Sequence, residues 1–575
     1  MDVDVSIRIG GEAGQGMQSI GFIMGKVFTR HGYYAFINQD VESRIRGGHN
    51  FVQIRIQDKP VYAIKNALNL LIALDKQAIT QDLPDLIEDG VMIFDGPKTG
   101  FKSDNPNHFS VPLEQFALEI AKSKIMINSV ATGAAFALLG FDLVPLLDRL
   151  EEEFAGKGNE IVEKNKACAS AGYDNVRKAF SGHTSHKIPF APFTKKKMLL
   201  TGSQAMAAGA IFSGLKFYSG YPMSPSTPIM EFIASMAQEY NIIVEPAEDE
   251  ISAVNMAIGA SFAGVRAMTA TSGGGFCLMA EGLGLAGMTE TPLVIVNAQR
   301  AGPSTGLPTR TEQADLRFVI HASHGEFPRA VFAPGTAEQG FYIMSKAFNM
   351  AEAYQTPVII LGDQHMNDSY FTLDELDMGR ININRGAILA SDRIPSPKDY
   401  KRYLWANSGI SPRILPGQSG TVLYADSDEH TEAGHITERA DIRKKQMDKR
   451  MNKFKGMRQE MDPPEIYPET VPDIVLLGWG STYGAVKEAV ESMNHEGLNT
   501  QMLHFREICP FPAQSFSEKT LKNAKVFAVE NNYTGQFAAF FTSETGISIS
   551  HKILKYDGRP FSPEEIVARV KERIH

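Results

Sequence analysis

NIIVEPAEDEISAVNMAIGASFAG, residues 241–264, runs from an apolar stretch through a proline and a cluster of acids into a segment of mostly small side chains. The start reads as an apolar strand and the end as a helix. Carboxylates are favoured ahead of a helix because its first N–H groups carry partial positive charge, so Glu248 and Asp249 read as capping groups. Ser252, Ala253, Ala257, Gly259, Ala260, Ser261, Ala263 and Gly264 leave the helix thin, which means that something packs very close to it. A strand, an acidic turn and a helix in this order form one unit of an α/β fold.

The same alternation extends in both directions. Around residues 241–264 lie MLLTGSQAMAAGAIFSG, RAMTATS, TPLVIVNAQ, AVFAPG and TPVIILGD. Nearer the N-terminus, VDVSIRI, NFVQIRI, LNLLIAL, GVMIFD and SKIMINS read as strands and ATGAAFALLGFDLVPLLDRLEEEFA as helix, the pattern of a mainly parallel sheet. PDIVLLGWGST, TQMLHFREI, KVFAVENNYTG and the helix PEEIVARVKERI form a third unit. The expected domains are residues 1–182, 197–426 and 471–575, joined by a Pro-, Gly- and Lys-rich linker at 183–196 and a charged connector at 427–470. The connector reads as a solvated helix.

At 575 residues the chain is too long for one core, and its 43% hydrophobic and 21% charged residues are those of a globular protein. A net charge of -9 speaks against a nucleic-acid partner, and no apolar run reaches the length of a membrane span. The N-terminus lacks the basic and apolar regions of a secretory signal, so the expected location is the cytoplasm. Three cysteines, Cys168, Cys277 and Cys509, are too few and too scattered for a four-cysteine iron–sulfur cluster in this chain. No metal site is expected.

Several motifs can carry chemistry. GGEAGQG at 10–16 follows a strand and opens a helix, where backbone N–H groups bind phosphate, but Ser19 stands where the dinucleotide fingerprint has its third glycine. Close strand–helix packing explains those glycines equally well. In ESRIRGGHN at 42–50, Arg44 and Arg46 precede a glycine pair and suit a phosphate or carboxylate, solvated charge being the alternative. YPMSPST at 221–227 stiffens a turn with Pro222 and Pro225 and thereby fixes Ser224. Glu250 precedes Gly259 in an E-x8-G spacing.

That spacing, with alanine-rich filling, resembles the pyrimidine-binding domain of thiamine diphosphate enzymes. More of the chain resembles one family among them, the 2-oxoacid:ferredoxin oxidoreductases. YPMSPST is similar to their YPITPST turn, TATSGGGFCLMAEGLG to their T-x-TSGPG-x-x-LM-x-E segment, and VNAQRAGPSTGLPTRTEQADL to their QR-x-GPSTG-x-PT-x-x-EQ-x-DL signature. Residues 1–182 resemble the γ unit of the family (GGEAGQG, ESRIRGGHN, VEKNKACASAGY) and the last domain the end of its α unit (GWGSTYG, ENNYTGQ, GRPFSPEE). Two positions depart: Ser224 replaces the usual threonine and keeps the hydroxyl, while Gly274 replaces a proline and loosens one loop.

The resemblance implies three α/β domains: a γ-type domain, a pyrimidine-binding domain and one like the C-terminal domain of transketolase. It implies oxidative decarboxylation of a 2-oxoacid, nearest to 2-oxoglutarate, with coenzyme A and ferredoxin, reversible with a low-potential donor. Glu250 would hydrogen-bond N1′ of thiamine diphosphate and promote the tautomer that activates it. Tyr221, Pro222, Ser272 and Gly273 would line the cofactor. Arg300 would pair the substrate's C1 carboxylate beside Ser224 and Thr309, Arg310 would read a distal carboxylate, and Arg44 and Arg46 would face coenzyme A or the active-site mouth. The chain has no GDG followed about 25 to 30 residues later by asparagine, so a β subunit would bring the diphosphate site, magnesium and a 4Fe–4S cluster, in a dimer of αβ units. Two other readings stay open: the same reaction on pyruvate or a branched-chain oxoacid, and a noncatalytic assembly subunit. A nicotinamide dehydrogenase is set against the broken fingerprint.

Overall fold

The computed structural model describes residues 3–42, 47–179, 186–190, 197–512, 516 and 518–574. The chain divides into two compact units, one of residues 1–200, 368–376 and 562–565, the other of residues 201–367, 377–561 and 566–575.

The first unit is built on an eight-stranded sheet. The strands Asp4–Ala13, Leu68–Ala73, Leu86–Phe94 and His108–Ser110 run parallel. Gly47–Gln57 lies antiparallel to Asp4–Ala13 on one side and to Tyr34–Asp40 on the other, and Tyr370–Leu373 extends the same antiparallel half. The expectation of a mainly parallel sheet is therefore corrected to a mixed one: alternation of apolar residues shows that a strand is buried but not which way its neighbour runs. SKIMINS is a second correction. Its residues form a short 3-10 turn, Lys124–Met126, and the start of the helix Ile127–Leu138. That helix packs backbone to backbone on Asn159–Ala179, where a Cβ on Gly133 would come within 1.9 Å of the Ala169 carbonyl and one on Gly172 within 2.0 Å of the Val130 carbonyl. Close helix packing decides the conformation of this short apolar run.

The second unit contains two sheets. In the seven-stranded sheet, Ala330–Phe332, Pro357–Asp363, Leu293–Gln299, Arg266–Thr271, Leu215–Gly220 and Ile243–Pro246 lie side by side and parallel, and Glu507–Cys509 closes one edge antiparallel. Registers Thr271↔Asn297, Gln299↔Asp363 and Gly220↔Pro246 bring the carboxyl ends of these strands to one edge. The chain turns outward after Leu215–Gly220 and returns on its other side at Arg266–Thr271, which makes a crevice at this switch point, the usual ligand position of such sheets. The five-stranded sheet runs Glu465–Tyr467, Thr500–Phe505, Ile474–Trp479, Lys525–Glu530, His551–Leu554. One apolar core joins both sheets, with Val254, Phe276 and Ile295 from the first and Trp479, Phe505 and Phe537 from the second.

The charged connector departs from expectation as well. Its helix, Ala440–Glu460, buries Gln446, Lys449, Arg450, Lys453 and Met457, residues three or four apart and hence on one face. Lys449 Nζ lies 2.6 Å and Lys453 Nζ 2.7 Å from the carboxylate of fully buried Glu290. Arg402 donates to the Glu290 carbonyl at 2.8 Å, and Arg450 pairs with Glu429 at 2.6 Å. Burial alone would neutralise such groups; mutual pairing keeps them charged inside the fold. A face buried through ion pairs is polar in sequence, so it reads as solvated.

Candidate active site

Four loops at the carboxyl ends of the seven-stranded sheet meet in the crevice. After Leu215–Gly220, the turn is closed by Ser226, whose N–H and hydroxyl both donate to the Met223 carbonyl at 2.8 and 2.6 Å. Pro225 is buried, whereas Tyr221, Pro222 and Ser224 are exposed. A proline in the first turn of Thr227–Tyr240 then starts the next helix. After Ile243–Pro246, Asp249 caps the helix Glu250–Ala263 by accepting the Ser252 N–H at 2.7 Å, the capping role read from the sequence.

Glu250 does something different. It is 3% exposed, and its Oε1 has no hydrogen-bond partner in the protein. Leaving a buried carboxylate oxygen unpaired costs folding free energy, about 1 to 3 kcal/mol. The space beside it is kept by Gly275 in the first turn of Gly273–Met288: a Cβ there would stand 2.4 Å from Glu250 Oε1 and 2.0 Å from Thr271 Oγ1. Glu250 Cγ would be 2.7 Å away as well, so Gly275→Ala must move the whole Glu250 side chain. Displacing the carboxylate should lower kcat by about tenfold or more. Gly274→Ala is the comparison, because a Cβ at Gly274 meets nothing within 4 Å, and it should leave kcat unchanged.

Further unpaired atoms face the same region. Ser272 precedes Gly273–Met288, is fully buried, and its Oγ caps nothing. Asn297 donates to Asp315 Oδ2 at 3.2 Å while its own Oδ1 has no partner. Arg300 donates from Nη1 to the Ser224 carbonyl at 2.8 Å and keeps a buried Nε–H unpaired. Burial pulls this guanidinium down from its ordinary value, and the Asp315 charge opposes that. Among the described residues Arg300 makes no ion pair.

Of the site residues that the resemblance implied, Ser224, Glu250, Ser272, Gly273 and Arg300 lie at the carboxyl ends of these strands. The contact between Ser224 and Arg300 runs through the serine carbonyl. Thr309 is half-buried, and Arg310 is buried, its Cβ and Cγ packed under Gly558. Arg44 and Arg46 lie outside the described residues. Other residues of this region went unnoticed. Asp315 accepts from Asn297, its backbone N–H donates to Gln299 Oε1 at 2.9 Å, and its Oδ2 fills the space a Cβ on Gly273 would need. Burial pushes its carboxyl up to about 6, and burial with the Asp315 charge pushes Glu312 up to about 7. Their signal was present: acids inside EQADL, and an asparagine ending an apolar strand. Gln313, from the same segment, fastens this loop to the second sheet through the Trp479 carbonyl at 2.8 Å and Asn531 at 2.7 and 3.0 Å.

The chain is similar to known proteins along its length. Residues 208–449 match the family described as "Pyruvate flavodoxin/ferredoxin oxidoreductase, thiamine diP-bdg", residues 6–175 "Pyruvate ferredoxin/flavodoxin oxidoreductase", and residues 472–566 "Pyruvate:ferredoxin oxidoreductase core domain II". Fold and matches together are those of a thiamine diphosphate-binding oxidoreductase. The "2-oxoacid:ferredoxin oxidoreductase subunit alpha" of Saccharolobus solfataricus is 32% identical over 99% of this chain and 97% of its own. The "2-oxoglutarate synthase subunit KorA" of Methanothermobacter thermautotrophicus is 31% identical over 65% of this chain and 97% of its own. A solved structure, "2-oxoglutarate:ferredoxin oxidoreductase from Magnetococcus marinus with 2-oxoglutarate, coenzyme A and succinyl-CoA bound", is 31% identical, covers 100% of both chains and superposes with a TM-score of 0.93. The chain therefore belongs to the 2-oxoacid:ferredoxin oxidoreductases, as an alpha subunit.

Proposed function

We propose that this subunit binds the pyrimidine of thiamine diphosphate through Glu250 and 2-oxoglutarate through Arg300. The observation that carries this reading is the pair of buried, unpartnered groups, Glu250 Oε1 and Arg300 Nε, at the carboxyl ends of one sheet. The residues fit the cofactor: an acceptor without a partner suits a ring nitrogen that shares a proton, and Gly275 lets the Glu250 side chain lie against the start of its helix. Tyr221, Pro222, Ser272 and Gly273 would hold the rest of the ring. Thiamine diphosphate supplies, when bound, the nucleophilic carbon that adds to an oxoacid carbonyl.

The chain's own part is orientation and charge. Glu250 holds a proton between Oε1 and the ring nitrogen. Arg300 offers Nε–H and its remaining Nη donors to the C1 carboxylate, and a planar fork of this kind fixes direction as well as position. The Ser224 hydroxyl and Thr309 stand as neutral donors, and Arg310 reads the second carboxylate. Preference for 2-oxoglutarate is supported by the relatives named for that substrate and by the solved structure holding it. The same structure supports coenzyme A as acyl acceptor.

A β subunit completes the enzyme in this reading, bringing magnesium, the diphosphate site and a 4Fe–4S cluster that passes electrons to ferredoxin, in a cytoplasmic dimer of αβ units. The helix Glu250–Ala263 supports a partner: Ile251 and Met256 are exposed, and a Cβ on Gly259 would meet nothing within 4 Å in this chain. Among the described residues no helix is long and apolar enough to cross a membrane. Viologen reduction by the complex with coenzyme A and each oxoacid tests the substrate. Activity should be highest with 2-oxoglutarate; turnover of pyruvate or a branched-chain oxoacid alone would overturn the choice.

A further inference from the structure

Arg300 is assigned to a carboxylate that the reaction removes. Its strongest grip on that carboxylate is in the ground state, before charge moves away toward CO2, and binding spent there raises affinity without raising kcat. A second charge stands close enough to change that balance. Asp315 is tied to the end of the strand that leads into Arg300: it accepts the Asn297 amide at 3.2 Å, and its backbone N–H donates to Gln299 at 2.9 Å. Its carboxylate reaches the start of the neighbouring helix, where Oδ2 would be 2.4 Å from a Cβ on Gly273. Asp315 and Arg300 feel each other's charge yet form no ion pair among the described residues. A bonded pair would have quenched the arginine; a held-off carboxylate only weakens its field.

We propose that Asp315 is a positioning residue that attenuates the hold of Arg300 on the oxoacid carboxylate, so that the substrate is bound loosely enough to be decarboxylated. The inference rests on the role given to Arg300 above. Around Asp315 the titratable groups that respond to it, among the described residues, are Arg300 at the end of Leu293–Gln299, Glu312 in its own loop and Cys277 on Gly273–Met288. Because burial holds the Asp315 carboxyl up at about 6, its charge is present at neutral pH and is lost under mild acid. The sign follows: protonation removes a negative charge near an anionic ligand, so oxoacid affinity rises as pH falls.

Asp315→Asn keeps the shape and the Asn297 hydrogen bond while removing the charge. In the assembled enzyme it should lower the dissociation constant of 2-oxoglutarate, measured calorimetrically without electron acceptor, by about three- to tenfold at neutral pH. Under turnover, kcat should fall together with KM. Wild type should bind more tightly at pH about 5.5 than at about 7.5, and Asp315→Asn should keep only the part of that dependence that Glu312, pushed up to about 7, contributes. Glu312→Gln, which leaves Asp315 ionised, should retain the part that Asp315 contributes. An unchanged or weaker affinity in Asp315→Asn, or a wild-type affinity that does not rise in acid, would overturn the proposal. Arg300→Gln separates the two claims. If it leaves affinity untouched, the assignment of Arg300 fails and the attenuation with it. If it weakens binding while Asp315→Asn does not tighten it, only the attenuation fails.

Discussion

Glu250→Gln is expected to lower kcat of the assembled enzyme by about a hundred- to ten-thousandfold, the range set by losing a positioned proton-transfer group. Stability should move the other way or not at all. Glu250 is buried, and its Oε1 has no protein partner, so the fold loses no hydrogen bond to that atom when the charge is removed. Burying an unpaired carboxylate is itself costly, and a neutral amide of the same shape relieves part of that cost. The melting temperature should therefore be equal or slightly higher. A carboxylate serving only the fold gives the opposite pattern, with stability lost and kcat kept. Differential scanning calorimetry beside steady-state kinetics separates the two.

Arg300→Gln should raise KM for 2-oxoglutarate by about 10- to 150-fold, the factor that corresponds to one charged hydrogen-bonding contact of about 1.5 to 3 kcal/mol. Part of the effect comes from the protein side. Arg300 donates to the Ser224 carbonyl at 2.8 Å, so losing it also releases the turn that presents the Ser224 hydroxyl. Arg300→Lys keeps the charge but not the fork, and should recover only part of the affinity because a point charge fixes direction poorly. KM titrations with all three proteins measure this directly. A lysine variant equal to wild type would mean that charge alone is recognised.

Strands, glycine turns and the Asp249 cap were legible because each obeys a local rule. Glu250 was legible for a different reason, its place in a signature that spans several loops. Asp315 and Asn297 were missed because the local signal, an acid in EQADL and an asparagine ending an apolar strand, does not show what they face: that follows from Thr271↔Asn297 pairing and from the return of the 300–315 loop to the strand ends. Gly274, read as loosening a loop, stands in the first turn of Gly273–Met288, and Gly275 went unremarked because only packing shows that it faces Glu250. The helix Ala440–Glu460 carried the largest misreading. Its charges would be solvated on an isolated helix, and Glu290, 159 residues before Lys449, together with Glu429 beside Arg450, makes their burial possible.

The central claim is that Glu250 meets the pyrimidine of thiamine diphosphate. Its most direct test is a titration of thiamine diphosphate into the assembled complex, followed by the near-ultraviolet circular dichroism of the bound aminopyrimidine, in wild type and Glu250→Gln. The wild-type complex should develop a cofactor band that the variant lacks, with weaker cofactor binding in the variant. A variant that binds with wild-type affinity and shows the same band would contradict the account.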